Sequence, residues 1–102
     1  MAKIIVRNSD NLVVFCLEDS QDITLTANEC KFTNGNGTDT YVLDINSSTH
    51  TAYTDVTAPT KFWGNCFTYI DGNWALDNDR VTNVNAGRTA NDLPEIEVEL
   101  AK

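Results

Sequence analysis

A chain of 102 residues makes one domain, with enough length for a single core and little to spare. Seven Lys and Arg stand against fifteen Asp and Glu, a net charge of −8. That balance argues against binding a nucleic-acid backbone, which needs a concentrated basic patch, and against docking on an anionic membrane surface.

Thr and Asn are abundant while Glu and Lys are few, a bias toward strands and turns. Lys3–Val6 and Leu12–Leu17 are apolar, β-branched runs separated by Asn8-Ser9-Asp10-Asn11, and they read as an antiparallel hairpin. The second run is almost continuously apolar, the pattern of a strand covered on both faces. Glu18–Gln21 is a turn, and Ile23–Thr26 alternates, which predicts a half-buried strand with Ile23 and Leu25 inward. Thr26 followed three residues later by Glu29 has the capping-box pattern, but no apolar stripe follows, so a bend is expected. Asn34-Gly35-Asn36-Gly37 doubles a turn dipeptide and predicts a mobile tip. Thr40–Ile45 and Thr49–Val56 are expected to form a second hairpin around Asn46-Ser47-Ser48. Tyr41, Leu43 and Ile45 would then share one face, and His50 would lie on the solvent side.

Pro59 separates strands, and Lys61–Leu76 (KFWGNCFTYIDGNWAL) follows with both tryptophans. Cys66–Ile70, the Asp71-Gly72 turn and Asn73–Leu76 form a hairpin in which Tyr69 or Ile70 pairs with Trp74. Trp63, Phe67, Tyr69 and Trp74 are its core aromatics, the centre of the fold. Residues 77–92 carry only Val81 and Val84 to bury and are expected to be a loop or arm, mobile or laid along a partner. Leu93–Leu100 alternates glutamates with Ile96, Val98 and Leu100, a strand able to pair with its own sheet or with a neighbouring copy. The expected architecture is all-β: a small sandwich or flattened barrel of about seven short antiparallel strands over residues 1–76, an Asn-rich arm, and a C-terminal strand over 93–102.

Chemistry is sparse. Cys16, Cys30 and Cys66 are odd in number, form no CxxC pair, and are expected buried and reduced. The single histidine, His50, has no local Cys or Ser signature beside it, and no GxSxG elbow is present. Asp71, Asp77 and Asp79 are paired carboxylates in a turn region, but a chain this short has little room for a glycosidase cleft. Asp77-Asn78-Asp79 offers the oxygen ligands calcium takes, without the glycine and distal Glu of an EF-hand. No catalytic residue, cofactor or metal site is therefore assigned from the sequence, and no enzyme is expected. With no apolar run near 18 residues and no signal-peptide pattern, the chain is expected to stay in the cytoplasm where it is made.

Two stretches together carry a resemblance. Lys3–Val14 (KIIVRNSDNLVV), followed by a polar break and the ITLT strand, and Trp63–Trp74 (WGNCFTYIDGNW) are similar to small proteins encoded in the structural gene clusters of tailed bacteriophages. The resemblance implies a non-enzymatic virion component whose partners are copies of itself and a major capsid or tail protein, with no nucleic acid and no membrane. Collagen-like and coiled-coil repeats are absent and an Asn-rich arm is present, which favours a compact capsid decoration (cement) protein over an extended fibre. A tail-fibre or baseplate accessory protein is the alternative. Ile96, Val98 and Leu100 are the expected partner-binding residues. A carbohydrate-binding module, with Trp63 and Trp74 as exposed stacking platforms, is a further alternative.

Overall fold

The computed structural model describes residues 1–33 and 37–101. Among them the fold is mostly β, with eight short strands in three small antiparallel sheets and one helix. The strands are β1 (Ala2–Arg7), β2 (Val13–Glu18), β3 (Ile23–Leu25), β4 (Cys30–Thr33), β5 (Asp39–Val42), β6 (His50–Val56), β7 (Phe67–Ile70) and β8 (Asn73–Leu76). The helix, α1, runs over Asn78–Ala90.

The central layer is β2-β1-β6, with β1 in the middle. Period-two alternation along β1 sends Ile4 and Val6 to one face and Ile5 to the other, and each face has its own core. On the first face Ile4, Val6, Val13 and Val56 pack with Cys66, Phe67 and Ile96, so the β7-β8 hairpin covers this side. On the second face Ile5 packs with Cys30, Phe32 and Ile45 under the β3-β4-β5 sheet. β2 contributes Cys16 to the first core and Val14, Phe15 and Leu17 to the second, which accounts for its nearly continuous apolar sequence.

Two bulges flank β1. Val14 is skipped between the pairs Ile5–Phe15 and Val6–Val13, and Thr54 with Asp55 opposes Lys3 between the pairs Ile4–Tyr53 and Ala2–Val56. Asp55 has φ 56°. The other non-glycine residues with positive φ, among those described, are Asn11, Asn65, Asp71 and Asp92. All five are Asn or Asp, the side chains that tolerate the left-handed region best after glycine. Part of the chain's Asx richness is thus conformational.

The β1-β2 hairpin, the turn at Glu18–Gln21, the inward Ile23 and Leu25, and the bend after Thr26 all form as the sequence predicts. So does the aromatic hairpin, with φ 50° at Asp71, φ 84° at Gly72, and Tyr69 opposite Trp74.

Other expectations need correcting. β5 and β6 do not form a hairpin: β5 pairs with β4 and β6 pairs with β1, in different sheets. The Asn46 turn that joins them accepts the Ser48 N–H at 3.0 Å on its side chain, and its carbonyl accepts the His50 N–H at 2.9 Å. Tyr41 and Leu43 point outward, whereas Val42 points inward; only Ile45 of the expected trio is buried. His50 is buried, at 7% exposure, and not on the solvent side. Asn34, Gly35 and Asn36 of the expected mobile tip lie outside the described residues.

The expected arm is a helix. Asp77 caps α1 by accepting the Arg80 N–H at 3.2 Å, while Asp79 in the first turn and Arg88 in the last complement the helix dipole. Val81 and Val84, three residues apart, rest half-buried on the first core. The segment beyond α1 is fastened to this chain. Asn85 Oδ1 accepts the Ile96 N–H at 2.8 Å, Arg88 Nε donates to the Pro94 carbonyl at 2.7 Å, and Lys61 and Glu99 exchange backbone hydrogen bonds of 3.1 and 3.0 Å. That Lys61–Glu99 bridge is the only β pairing of the segment among the described residues, in place of a full C-terminal strand.

Candidate functional site

The residues with most chemical potential gather where the β1-β2 loop meets the start of β6. Arg7 forms a two-pronged ion pair with Asp10: Nε to Oδ1 at 3.1 Å and Nη2 to Oδ2 at 2.6 Å. This contact holds the Asp10 carboxyl below the usual range, aided by the Leu12 N–H that donates to Oδ1 at 3.2 Å. Beside it, His50 Nδ1 lies 2.7 Å from the Thr49 hydroxyl. Burial is the main reason its pKa falls, the nearby Arg7 charge adds to the fall, and Asp10 opposes it. His50 is therefore a neutral imidazole near pH 7.

A cleft of about 780 Å³ opens here, lined by polar Arg7, Ser9, Thr49 and His50 and by apolar Phe15 and Ile45. None of the three cysteines lines it, so the Cys–His pairing weighed from the sequence is not assembled there. Cys30 and Cys66 are fully buried and Cys16 is half-buried; burial pushes all three thiols up, away from the reactive thiolate.

The Asp residues after the aromatic hairpin are used locally. Asp71 takes the left-handed turn position and Asp77 caps α1. Among the described residues no group of three or more His, Cys, Asp or Glu is placed to hold a metal ion.

The aromatics form a chain of ring contacts running from core to surface. Phe62 stacks on Phe67 at 5.7 Å, Phe67 meets Trp74 edge-on at 5.8 Å, Trp74 meets Tyr69 at 5.4 Å, and Tyr69 reaches Tyr53 on β6 at 5.1 Å. Phe67 is fully buried, while Tyr69 and Trp74 are half-buried against the first core. The Trp74 indole N–H is buried with no hydrogen-bond partner. Trp63 does not belong to this core: it is 38% exposed, and the Arg88 guanidinium lies 5.1 Å from its ring centroid.

Of the expected partner-binding residues, Ile96 is 8% exposed and sits in the first core, Val98 packs beside it, and Leu100 lies at the surface. The structure brings Ile96 and Val98 to the chain's own interior. A different apolar feature faces out. β5 is an edge strand of its sheet, and its surface carries Tyr41 at 58% exposure and, just beyond the strand, Leu43 at 73%. Asp39 and Asp44 bound this run on either side. The sequence puts Tyr41, Leu43 and Ile45 on one face, but Tyr41-Val42-Leu43 is apolar in either phase of a two-residue period, so alternation alone does not say which face is covered. The acid at each end of the run was the available signal. No family model, no curated protein and no solved structure matches this chain.

Proposed function

We propose that this chain is a non-enzymatic structural component of a tailed-phage virion, a capsid decoration (cement) protein that clamps onto the shell and stabilises it. It would be made in the host cytoplasm and work in the particle, against copies of itself and a major capsid protein. The sequence support is the resemblance carried by Lys3–Val14 and Trp63–Trp74.

The structural observation that favours an adhesive role is the edge strand β5, which sets Tyr41 and Leu43 in solvent on a body whose two cores share one central sheet. Large apolar side chains left out at a sheet edge are suited to pairing with another chain. The carbohydrate-binding alternative has less support, because Arg88 lies over Trp63 and Trp74 is packed against Phe67 and Tyr69. A tail-accessory role shares the same surface logic and is separated from capsid decoration by experiment.

The test is to purify particles from a host in which this gene is tagged, then separate capsids from tails and probe each. The proposal expects the tagged chain on capsids, and capsids lacking it should lose their DNA at lower temperature. Recovery on tails alone would transfer the role to a tail accessory, and absence from both fractions would overturn the virion reading.

A further inference from the structure

We infer that the outer edge of β5 is a docking site for an extended segment of a different protein, one that carries apolar residues flanked by Lys or Arg. The inference deepens the proposed function, and it rests on that reading only for where the partner is found.

The shape of the site comes from β5 itself. It pairs with β4 on one side, through Cys30–Val42, Lys31–Tyr41, Phe32–Thr40 and Thr33–Asp39, and no strand lies on its other side among the described residues. An added strand would gain main-chain hydrogen bonds there, with affinity from the ladder and selectivity from the side chains that flank it. Tyr41 and Leu43 supply the apolar contact area.

Charge chooses the occupant. Each described Lys and Arg side chain is already engaged internally. Lys3 pairs with Asp22, Arg7 with Asp10, Lys31 with Asp39 and Lys61 with Glu97. Arg80 donates to the Asn65 carbonyl and Arg88 to that of Pro94. The surplus is acidic, and at this edge it consists of Asp39, half-compensated by Lys31 at 3.6 Å, and Asp44, which is exposed and has no partner among the described residues.

A second copy of this chain fits badly. Antiparallel pairing of β5 with itself about Tyr41 or Val42 sets Asp39 opposite Leu43 or Ile45 of the other copy, so each carboxylate meets an apolar side chain and neither acid gains a cation across the ladder. A segment with a basic residue at each end and apolar residues between meets both acids with opposite charge and covers Tyr41 and Leu43. Basic flanks also speed encounter and reject acidic competitors.

The experiment uses the full chain and two blocked hexapeptides as probes, Lys-Thr-Val-Thr-Val-Lys and Glu-Thr-Val-Thr-Val-Glu, with backbone amide shifts followed by NMR. The expected result is that the Lys-flanked peptide shifts the amides of residues 39–44 and the Glu-flanked peptide does not. The affinity should fall about tenfold between roughly 0.01 M and 1 M salt, over which the Debye length shrinks from about 30 Å to about 3 Å. Asp44→Lys should erase the preference between the peptides with no change in melting temperature, since the side chain is exposed and unpaired. Equal response to both peptides, shifts confined to another surface, or a free protein that sediments as a dimer whose β5 amides are protected would each overturn the inference.

Particle assembly separates this claim from the virion reading. If Leu43→Ser folds normally and still joins particles as well as wild type, the β5 site is wrong and the virion role stands. If wild type binds the Lys-flanked peptide at β5 but is absent from particles, the site stands and the virion role falls.

Discussion

Phe67→Ala is the substitution that most directly tests whether the aromatic hairpin holds the first core together. Phe67 is fully buried, stacks on Phe62 and receives the edge of Trp74, while its strand faces Ile4, Val6 and Val13 of the central sheet. Truncating a buried Phe to Ala costs about 3–5 kcal/mol, from lost transfer free energy and from the cavity left behind. Here two ring pairs are lost as well, each contributing about 0.5–1.5 kcal/mol beyond area, so the upper half of that range is expected. A domain of this size has roughly 5–15 kcal/mol in total.

In urea, with a slope near 2 kcal/mol per molar, a loss of 4 kcal/mol moves the midpoint down by about 2 M. At about 4–8 °C per kcal/mol, the melting temperature falls by about 15–30 °C. Trp74→Phe is the matched control. It keeps a ring between Phe67 and Tyr69 and removes an indole N–H that is buried without a partner, so it should cost less than about 1.5 kcal/mol. Urea titrations of the three proteins, followed by circular dichroism, decide the matter. A Phe67→Ala midpoint within about 0.3 M of wild type, at an unchanged slope, would refute the reasoning.

Truncation after Asp92 should destabilise the domain by about 2–4 kcal/mol, because it removes Ile96 from the core and the Lys61–Glu99 bridge; thermal melts check this. Hydrogen exchange should find α1 opening well below the global free energy and β1 exchanging last, since α1 has no fully buried residue while Ile4 and Ile5 are completely buried. The His50 pKa lies below its ordinary value of 6.5 in the folded state. The unfolded chain therefore binds the proton more readily, and this contribution to stability is complete above about pH 6.5 and is lost as pH falls toward the folded pKa. Urea midpoints measured between pH 5 and 8 should fall on acidification for wild type and stay flatter for His50→Gln. Gly72→Ala should cost about 1–2 kcal/mol, because φ 84° is strained for any residue with a Cβ, although no atom lies close enough to clash; the melting temperature reads it.

The legible parts of the fold were those in which local chemistry admits one answer. Asp71-Gly72 between aromatic runs leaves a two-residue turn with positive φ as the natural solution, and Ile23-Thr24-Leu25 has a single inward phase. Tyr41-Val42-Leu43 has two phases, and the inward one is set by the pairing of Val42 with Cys30 on β4, a contact that periodicity cannot see. Residues 77–92 read as an arm because Asn, Thr and Gly are poor helix formers and only Val81 and Val84 face the core. The cap at Asp77, with Asp79 in the first turn, was visible but short of an apolar stripe. His50 is buried by its pairing with Arg7 across the sheet and by the Asn46 turn, both the result of long-range placement. The exposure of Tyr41 and Leu43 was not legible, because the run is apolar on both of its faces.

Because both cores draw on β1, neither can close without it, and this sets the order in which the molecule can form. The β1-β2 hairpin is local and can appear early, but each of its faces is apolar and bare until other elements arrive. One face waits for β4 and Ile45. The other waits for Phe67 and Ile96, both well downstream of the hairpin. During synthesis the nascent hairpin is therefore a two-sided adhesive ribbon until those later elements emerge. The period of greatest aggregation hazard ends only when the aromatic hairpin emerges and docks. Substitutions that slow closure of the first core, such as those that strain the Asp71-Gly72 turn, would lower the yield of folded protein by more than their cost in stability alone accounts for.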